Sequence, residues 1–220
     1  MQRMQKINQI LFDLDGTLVD SSGAIQAALT HGLQRLGLEY PADCAIESLI
    51  GMPLLDILRD RFGIVGEPAE RVITHYREHY DEQAQAESRV YERVAETLDT
   101  LCASGIELFV ATVKPSPIAT KVLRDMGLQR YFKGVAGSSM DHARRDKADI
   151  IRHVLQQYGL EASHSLMVGD RAQDINGARQ NSLYAVAVTY GFGSLEELTA
   201  AGPDHLVDCA SEIPALLPNR

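Results

Sequence analysis

Ile10-Leu11-Phe12-Asp13-Leu14-Asp15-Gly16-Thr17-Leu18-Val19-Asp20 is the stretch whose reading decides the fold. Ile10 to Phe12 is a short apolar run stopped by acids and a glycine, the pattern of a buried strand that ends in a polar turn. Gly16 lets the chain turn sharply there, and the Thr17 hydroxyl can tie the turn down. From Ser21 the period changes. Ala24, Ile25, Ala28, Leu29, Leu33 and Leu36 recur at helical spacing, with Asp20, Ser21 or Ser22 as cap and Gly37 as stop.

Further along, helices are predicted at about Pro53 to Phe62 and Pro68 to Gln85. The second opens on a proline, whose missing N–H costs little in a first turn, and repeats Val72, Ile73, Tyr76 and Tyr80. Residues 21 to about 90 therefore read as all-helical. After them the pattern alternates: helix 92–104, strand Ile106 to Ala111, helix 117–127, short strand Gly134 to Ala136, helix 146–158, strand Ser165 to Val168, helix 174–181, strand Tyr184 to Val188. Alternation of this kind implies a parallel sheet covered by helices on both faces. The expectation is an α/β chain: a doubly wound, Rossmann-like core from residues 1–19 and 91–220, with a helical cap, 20–90, inserted after the first strand.

Composition narrows the function. A chain of 220 residues, 45% of them hydrophobic, can bury a sizeable core. Its 21 Lys and Arg against 30 Asp and Glu give a net charge of −9, which repels a nucleic-acid backbone. A small anion remains compatible, because a local cation cluster or a metal reverses the field within one cleft. No apolar run approaches a membrane-spanning length. Cys44, Cys102 and Cys209 are odd in number and lack paired ligand spacing, so they read as reduced thiols in a cytoplasmic protein. The acidic surface suits a monomer or a dimer equally.

Ligands of open parallel sheets bind beyond the carboxyl ends of the strands. Asp13 follows the first strand, Thr112 follows Ile106 to Ala111, and Asp170 follows Ser165 to Val168 across Gly169. Lys147 begins a helix whose first turn can return to that edge. Clustered acids repel: at an effective dielectric near 20, two unit charges ~4 Å apart cost about 4 kcal/mol. A hard divalent cation with oxygen ligands, Mg²⁺ above all, answers that repulsion, and no His/Cys cluster points to zinc.

The first stretch, Asp13-Leu14-Asp15-Gly16-Thr17-Leu18-Val19-Asp20, resembles the first motif of the haloacid dehalogenase superfamily in its phosphatase branch. Thr112 resembles the second motif, Lys147 the third, and Gly169-Asp170-Arg171-Ala172-Gln173-Asp174 the fourth, in that order along the whole chain. The resemblance implies a phosphatase similar to phosphoglycolate phosphatases or 5'-nucleotidases. Asp13 would be the nucleophile and Asp15 the general acid and base. Asp13, Asp170 and the Asp15 backbone carbonyl would hold Mg²⁺, with Asp174 in support. Thr112, the Val113 backbone and Lys147 would bind the phosphoryl group of a small phosphorylated metabolite. Gly51-Met52-Pro53 resembles the cap loop that lines the active site in relatives, and a plain turn is its simpler reading.

Each residue alone also has a structural role open to it. Asp13 and Asp15 fit turn acids, Asp170 and Asp174 a helix N-cap and first-turn acid, Thr112 a strand-end turn, and Lys147 a solvated helix lysine. Two departures from the family pattern stand out. Thr112-Val113-Lys114 replaces a frequent Thr-Asn-Lys, which leaves Lys114 a secondary candidate, and the lead-in Ser138 to Asp146 lacks the proline-rich character of phosphoglycolate phosphatases. The alternatives to hydrolysis are phosphoryl transfer within a sugar, as in β-phosphoglucomutases, and a non-catalytic phosphate-binding regulator. Carbon–phosphorus cleavage would need a cap lysine, and residues 21–90 contain none.

Overall fold

A computed structural model describes residues 7–83, 86–139 and 146–217. The chain forms two compact units, one from Met1–Val19 with Val90–Arg220 and the other from Asp20–Arg89.

The first unit is a six-stranded parallel sheet. Its strands are β1 (Gln9–Phe12), β4 (Glu107–Pro115), β5 (Phe132–Ser138), β6 (Ser165–Gly169), β7 (Tyr184–Val188) and β8 (His205–Val207), in the spatial order β5-β4-β1-β6-β7-β8. Two short strands, β2 (Val19–Asp20) and β3 (Arg89–Val90), form a separate pair where the chain leaves one unit and re-enters it. Between the main strands run α4 (Val94–Ala103), α5 (Ser116–Asp125), α6 (Lys147–Tyr158), α7 (Ala172–Gln180) and α8 (Leu195–Ala201).

Side chains alternate across a strand. Leu11, Phe109, Met167, Ala185 and Ala187 therefore share one face, where they pack with Ile150, Ile151 and Val154 of α6 and Ile175 and Ala178 of α7. Ile10, Phe12, Leu108, Val110, Leu166 and Val168 project to the other face and are equally buried. Burial on both faces explains why β1 and β6 read as continuous apolar runs instead of alternating ones.

Strand β1 is the middle of the topology. The connection after it leads to β4 on one side, and β6 lies on the other, with Phe12 in register with both Val110 and Val168. The order of the strands reverses at β1, and the crevice beyond its carboxyl end is where open α/β sheets bind ligands.

Several expected boundaries move. Thr112 does not follow its strand but lies inside β4, which continues to Pro115. The register against β5 jumps from Ala111↔Ala136 to Pro115↔Ser138, so residues 112–114 bulge out of the ladder. Edge strand β8, helix α8 and the pair β2–β3 escape a reading based on periodicity, because they are too short to show a period. The lead-in to the third motif falls partly at residues 140–145, outside the described residues, as do positions 84 and 85 of the expected helix Pro68 to Gln85.

The second unit is helical: α1 (Ser22–Gln34), α2 (Leu54–Phe62) and α3 (Glu67–Gln83). Helices α1 and α3 pack closely because Gly32 has no side chain; a Cβ there would lie 2.8 Å from the Val72 carbonyl oxygen. Tyr80 is buried and stacks on Tyr76 with ring centroids 5.6 Å apart, in keeping with core packing within the helical unit. Asp20 takes the capping role: its Oδ1 accepts from the Ser22 N–H at 3.1 Å, and its Oδ2 pairs with Arg89 at 2.9 Å. Gly51 has φ +96°, the Met52 N–H donates to the Leu49 carbonyl, and Pro53 immediately precedes α2.

Candidate active site

Asp13 lies just beyond β1, continuing its ladder through an N–H that donates to the Val168 carbonyl at 2.9 Å. Its Oδ1 accepts from the Leu14 N–H at 2.7 Å and lies 2.9 Å from Lys147 Nζ. Lys147 opens α6, whose N-cap Asp146 accepts from the Ala148 N–H. From there its ammonium reaches Asp174 Oδ1 at 2.7 Å and donates to the Ala111 carbonyl at 3.1 Å, which joins β4, β1 and α7 at one point.

Asp170 follows β6. Its Oδ1 accepts from the Thr17 hydroxyl at 3.0 Å and its Oδ2 from the Phe192 N–H at 2.9 Å. Asp174, at the start of α7, accepts from the Arg171 N–H at 3.0 Å. Carboxylate oxygens of Asp13, Asp170 and Asp174 lie within 4.8 Å of one another, and all three residues are buried.

The charges of this cluster do not balance. Among the described residues, three buried carboxylates gather beside the ammonium of Lys147, so that with all three ionised the acids outnumber that cation by two in a desolvated place. A divalent cation would offset that excess, and hard carboxylate oxygens are donors of the type Mg²⁺ takes. Burial pushes the Asp13 carboxyl up to about 6, only partly opposed by Lys147. Asp170 is raised well above the ordinary carboxylate value, again mainly by burial and then by Asp174 and Asp13. Burial alone would lower Lys147, but the adjacent Asp13 and Asp174 overcome it and hold the ammonium above the usual lysine range.

These shifts predict a pH dependence for the metal-free protein. Folded Asp13 keeps its proton up to about pH 6, whereas an ordinary aspartate releases it near 3.8. Between those values the unfolded chain binds fewer protons, so stability falls as pH rises. At 1.36 kcal/mol per unit the full loss is roughly 3 kcal/mol. In urea unfolding with a chelator, wild type should lose about that much relative to Asp13→Asn between pH 4 and 7. Parallel pH profiles for the two proteins would contradict it.

The remaining expected residues divide into three groups. Asp15, close enough for its charge to raise Asp13, has a cation of its own: its Oδ2 meets Lys114 Nζ at 2.6 Å, with both side chains less than a tenth exposed. Thr112 is buried and its Oγ1 accepts from the Lys114 N–H at 3.3 Å, while Val113 packs on the face shared with α6 and α7. Gly51, Met52 and Pro53 belong to the helical unit.

Sequence reasoning passed over the loop after β7. Tyr190 donates its hydroxyl to the Thr17 carbonyl at 2.9 Å, and Phe192 supplies the N–H that Asp170 accepts. The two glycines beside them are steric necessities. A Cβ on Gly191 would stand 2.3 Å from the Gly16 carbonyl oxygen, and one on Gly193 would stand 2.0 Å from that of Asp170. Gly16 itself, at φ +85°, presses against the Asp170 carboxylate, which a Cβ would meet at 2.1 Å. A glycine pair two residues apart, directly after a parallel strand, is the signal that would have flagged this loop. Glu197 was also passed over; its Oε1 accepts from the Ala172 N–H and Arg171 Nε, fixing the start of α7.

Among the described residues no helix is long and apolar enough to cross a membrane, and Cys44, Cys102 and Cys209 are free thiols.

Known proteins match this arrangement along most of the chain. A 5'-nucleotidase from Pseudomonas aeruginosa is 40% identical over 89% of this chain and 89% of its own length. The tyrosine-protein kinase PtkA of Mycobacterium tuberculosis is 35% identical over 84% of this chain, which covers 62% of that protein. A phosphoglycolate phosphatase from Agrobacterium fabrum is 32% identical, with 94% and 91% covered. Among solved structures, a predicted phosphatase from Clostridium acetobutylicum superposes with a TM-score of 0.86 at 33% identity, covering 94% of this chain and 96% of that one. The family model for haloacid dehalogenase-like hydrolases matches residues 10–188, from β1 through β7. With its first strand, acid cluster and α7 all inside that span, the chain belongs to the haloacid dehalogenase-like hydrolases.

Proposed function

We propose that the protein is a Mg²⁺-dependent phosphatase of small phosphate monoesters that works through an aspartyl-phosphate on Asp13. The observation that carries this reading is the position of Asp13: buried at the end of β1, beside one ammonium and two further carboxylates, with a fourth carboxylate, Asp15, paired to a different cation.

Among the described residues, the Leu14 N–H and Lys147 both meet Asp13 at Oδ1, so Oδ2 is the oxygen we assign to attack on phosphorus. The P–O bond to the leaving alcohol breaks as the Asp13–phosphorus bond forms, and Asp15 delivers a proton to the departing oxygen. Asp15 then takes a proton from water, which attacks the phosphoryl group, releases inorganic phosphate and restores Asp13. Lys147 offsets charge on Asp13 and the phosphoryl oxygens, and the Thr112 hydroxyl and Val113 N–H donate to those oxygens. Asp13, Asp170 and the Asp15 carbonyl would hold Mg²⁺, with Asp174 in support; when bound, the ion screens the carboxylates from the phosphate dianion.

The 40% identity to a protein named 5'-nucleotidase puts nucleoside monophosphates first among candidate substrates, and phosphoglycolate second. Either is a small, soluble metabolite, which suits a cytoplasmic enzyme whose cysteines are reduced. The test is phosphate release from a panel of esters that includes both, with Mg²⁺ and with chelator. Stoichiometric inorganic phosphate, lost on chelation, is the expected result. Retention of the phosphoryl group on an acceptor hydroxyl would replace hydrolysis with a transferase or mutase reading. No turnover of any ester would leave only a phosphate-binding role.

A further inference from the structure

We propose that Lys114 is a positioning residue for Asp15, fixing the carboxyl that transfers the proton in the reaction. The inference rests on the reading just given for Asp13 and Asp15. The family's shared second motif is the hydroxyl of Thr112; Lys114, two residues on, has a contact of its own kind. Its ammonium lies 2.6 Å from Asp15 Oδ2, and the two side chains are 7% and 9% exposed.

The backbone is built for this contact. Residues 112–114 are the bulge in β4, opposite the step from Ala136 to Ser138 in β5. Bulges re-aim side chains that a regular ladder would send elsewhere. This one requires Gly137 on the neighbouring strand, where a Cβ would lie 2.0 Å from the Lys114 carbonyl oxygen. The charges agree with the assignment. Lys147 contacts Asp13 and Asp174 of the acid cluster, and Lys114 contacts Asp15.

The chemical consequence concerns the leaving group. When Asp15 gives its proton to the departing alkoxide it becomes a carboxylate, and the Lys114 ammonium already stands where that charge develops. The same contact keeps the carboxylate aimed for its second task, taking a proton from the attacking water. Lys114 thus acts through Asp15, and its value depends on how much the leaving group needs a proton. An alkyl phosphate needs one. A nitrophenyl phosphate, whose phenolate leaves without help, does not.

The experiment compares wild type, Lys114→Met, Lys114→Arg, Asp15→Asn and the double variant Asp15→Asn/Lys114→Met, on p-nitrophenyl phosphate and on an alkyl phosphate, with Mg²⁺ present. Lys114→Met is expected to lower kcat for the alkyl ester by roughly 10²-fold, the lower range of general acid–base contributions, and for the nitrophenyl ester by less than about tenfold. Lys114→Arg should recover part of the alkyl-ester rate. In the Asp15→Asn background, adding Lys114→Met should change neither ester further, and because the double variant leaves no lone buried charge it serves even if the single variant folds poorly. Equal losses on both esters, or a rise in KM with kcat unchanged, would assign Lys114 to the phosphoryl group and overturn the proposal. A further loss in the Asp15→Asn background would overturn it as well. Failure of the underlying reading shows itself elsewhere, as turnover that survives Asp13→Asn.

Discussion

Asp13→Asn lowers phosphate release from every ester the wild type turns over by roughly 10⁴-fold or more, since an amide offers phosphorus no competent nucleophile and the covalent route closes altogether. The substitution is close to isosteric, and Asn can still accept from the Leu14 N–H at the position where Asp13 Oδ1 does so at 2.7 Å. Folding is therefore expected to survive. In the metal-free state the variant should even be the more stable of the two above pH 6, because it removes a buried charge that burial alone pushes toward protonation. Loss of turnover together with unchanged or raised stability separates a chemical role from a structural one. A variant within tenfold of wild-type kcat would show that Asp13 does not form the covalent bond.

Lys147→Met has the larger effect on stability. The ammonium is buried and touches Asp13, Asp174 and the Ala111 carbonyl together. Without it, three carboxylates share a desolvated space with no cation of the cluster left. Breaking a buried ion pair from one side costs about 3–5 kcal/mol, which for a protein of this size lowers the thermal midpoint by roughly 6–20 °C. The loss should be greatest in chelator and smaller with Mg²⁺, which replaces part of the missing charge. Activity should fall with it by roughly 10³-fold, since the phosphoryl oxygens lose the same cation. Thermal unfolding with and without metal, alongside phosphate release, gives both readouts. An unchanged midpoint in chelator would mean that the acids are not charged together.

The parts of the fold that were legible in the sequence share one property: each is long enough to show a period or ends in a residue with a distinct conformational demand. The stretch Ile10 to Gly16 shows both a buried strand and its stop, and β6 shows the same with Gly169 and Asp170. The sequence places Asp13, Thr112, Asp170 and Lys147 at one edge and the resemblance adds Asp174; the structure gathers the carboxylates of Asp13, Asp170 and Asp174, with Lys147 in contact with the first and last. The bulge at 112–114 was not legible. A bulge is a mismatch between two strands, and neither strand shows it alone. For that reason Thr112 was expected after its strand, and the contact of Lys114 with Asp15 went unseen. The Tyr190–Gly193 loop was hidden for another reason: its glycines answer to Gly16 and Asp170, far away in sequence, and nothing local calls for them.

Strands β2 and β3, with Asp20 bonded to Arg89, mark where residues 20–89 depart from the sheet unit and come back to it. Paired strands lie about 4.8 Å apart, so departure and return are one strand spacing from each other. An insertion whose ends meet imposes no stretch on its host, and closing that gap needs no more than a tight hairpin turn. The interruption after β1 thus acts as a socket. A module of different length could close there while β1 keeps its register between β4 and β6.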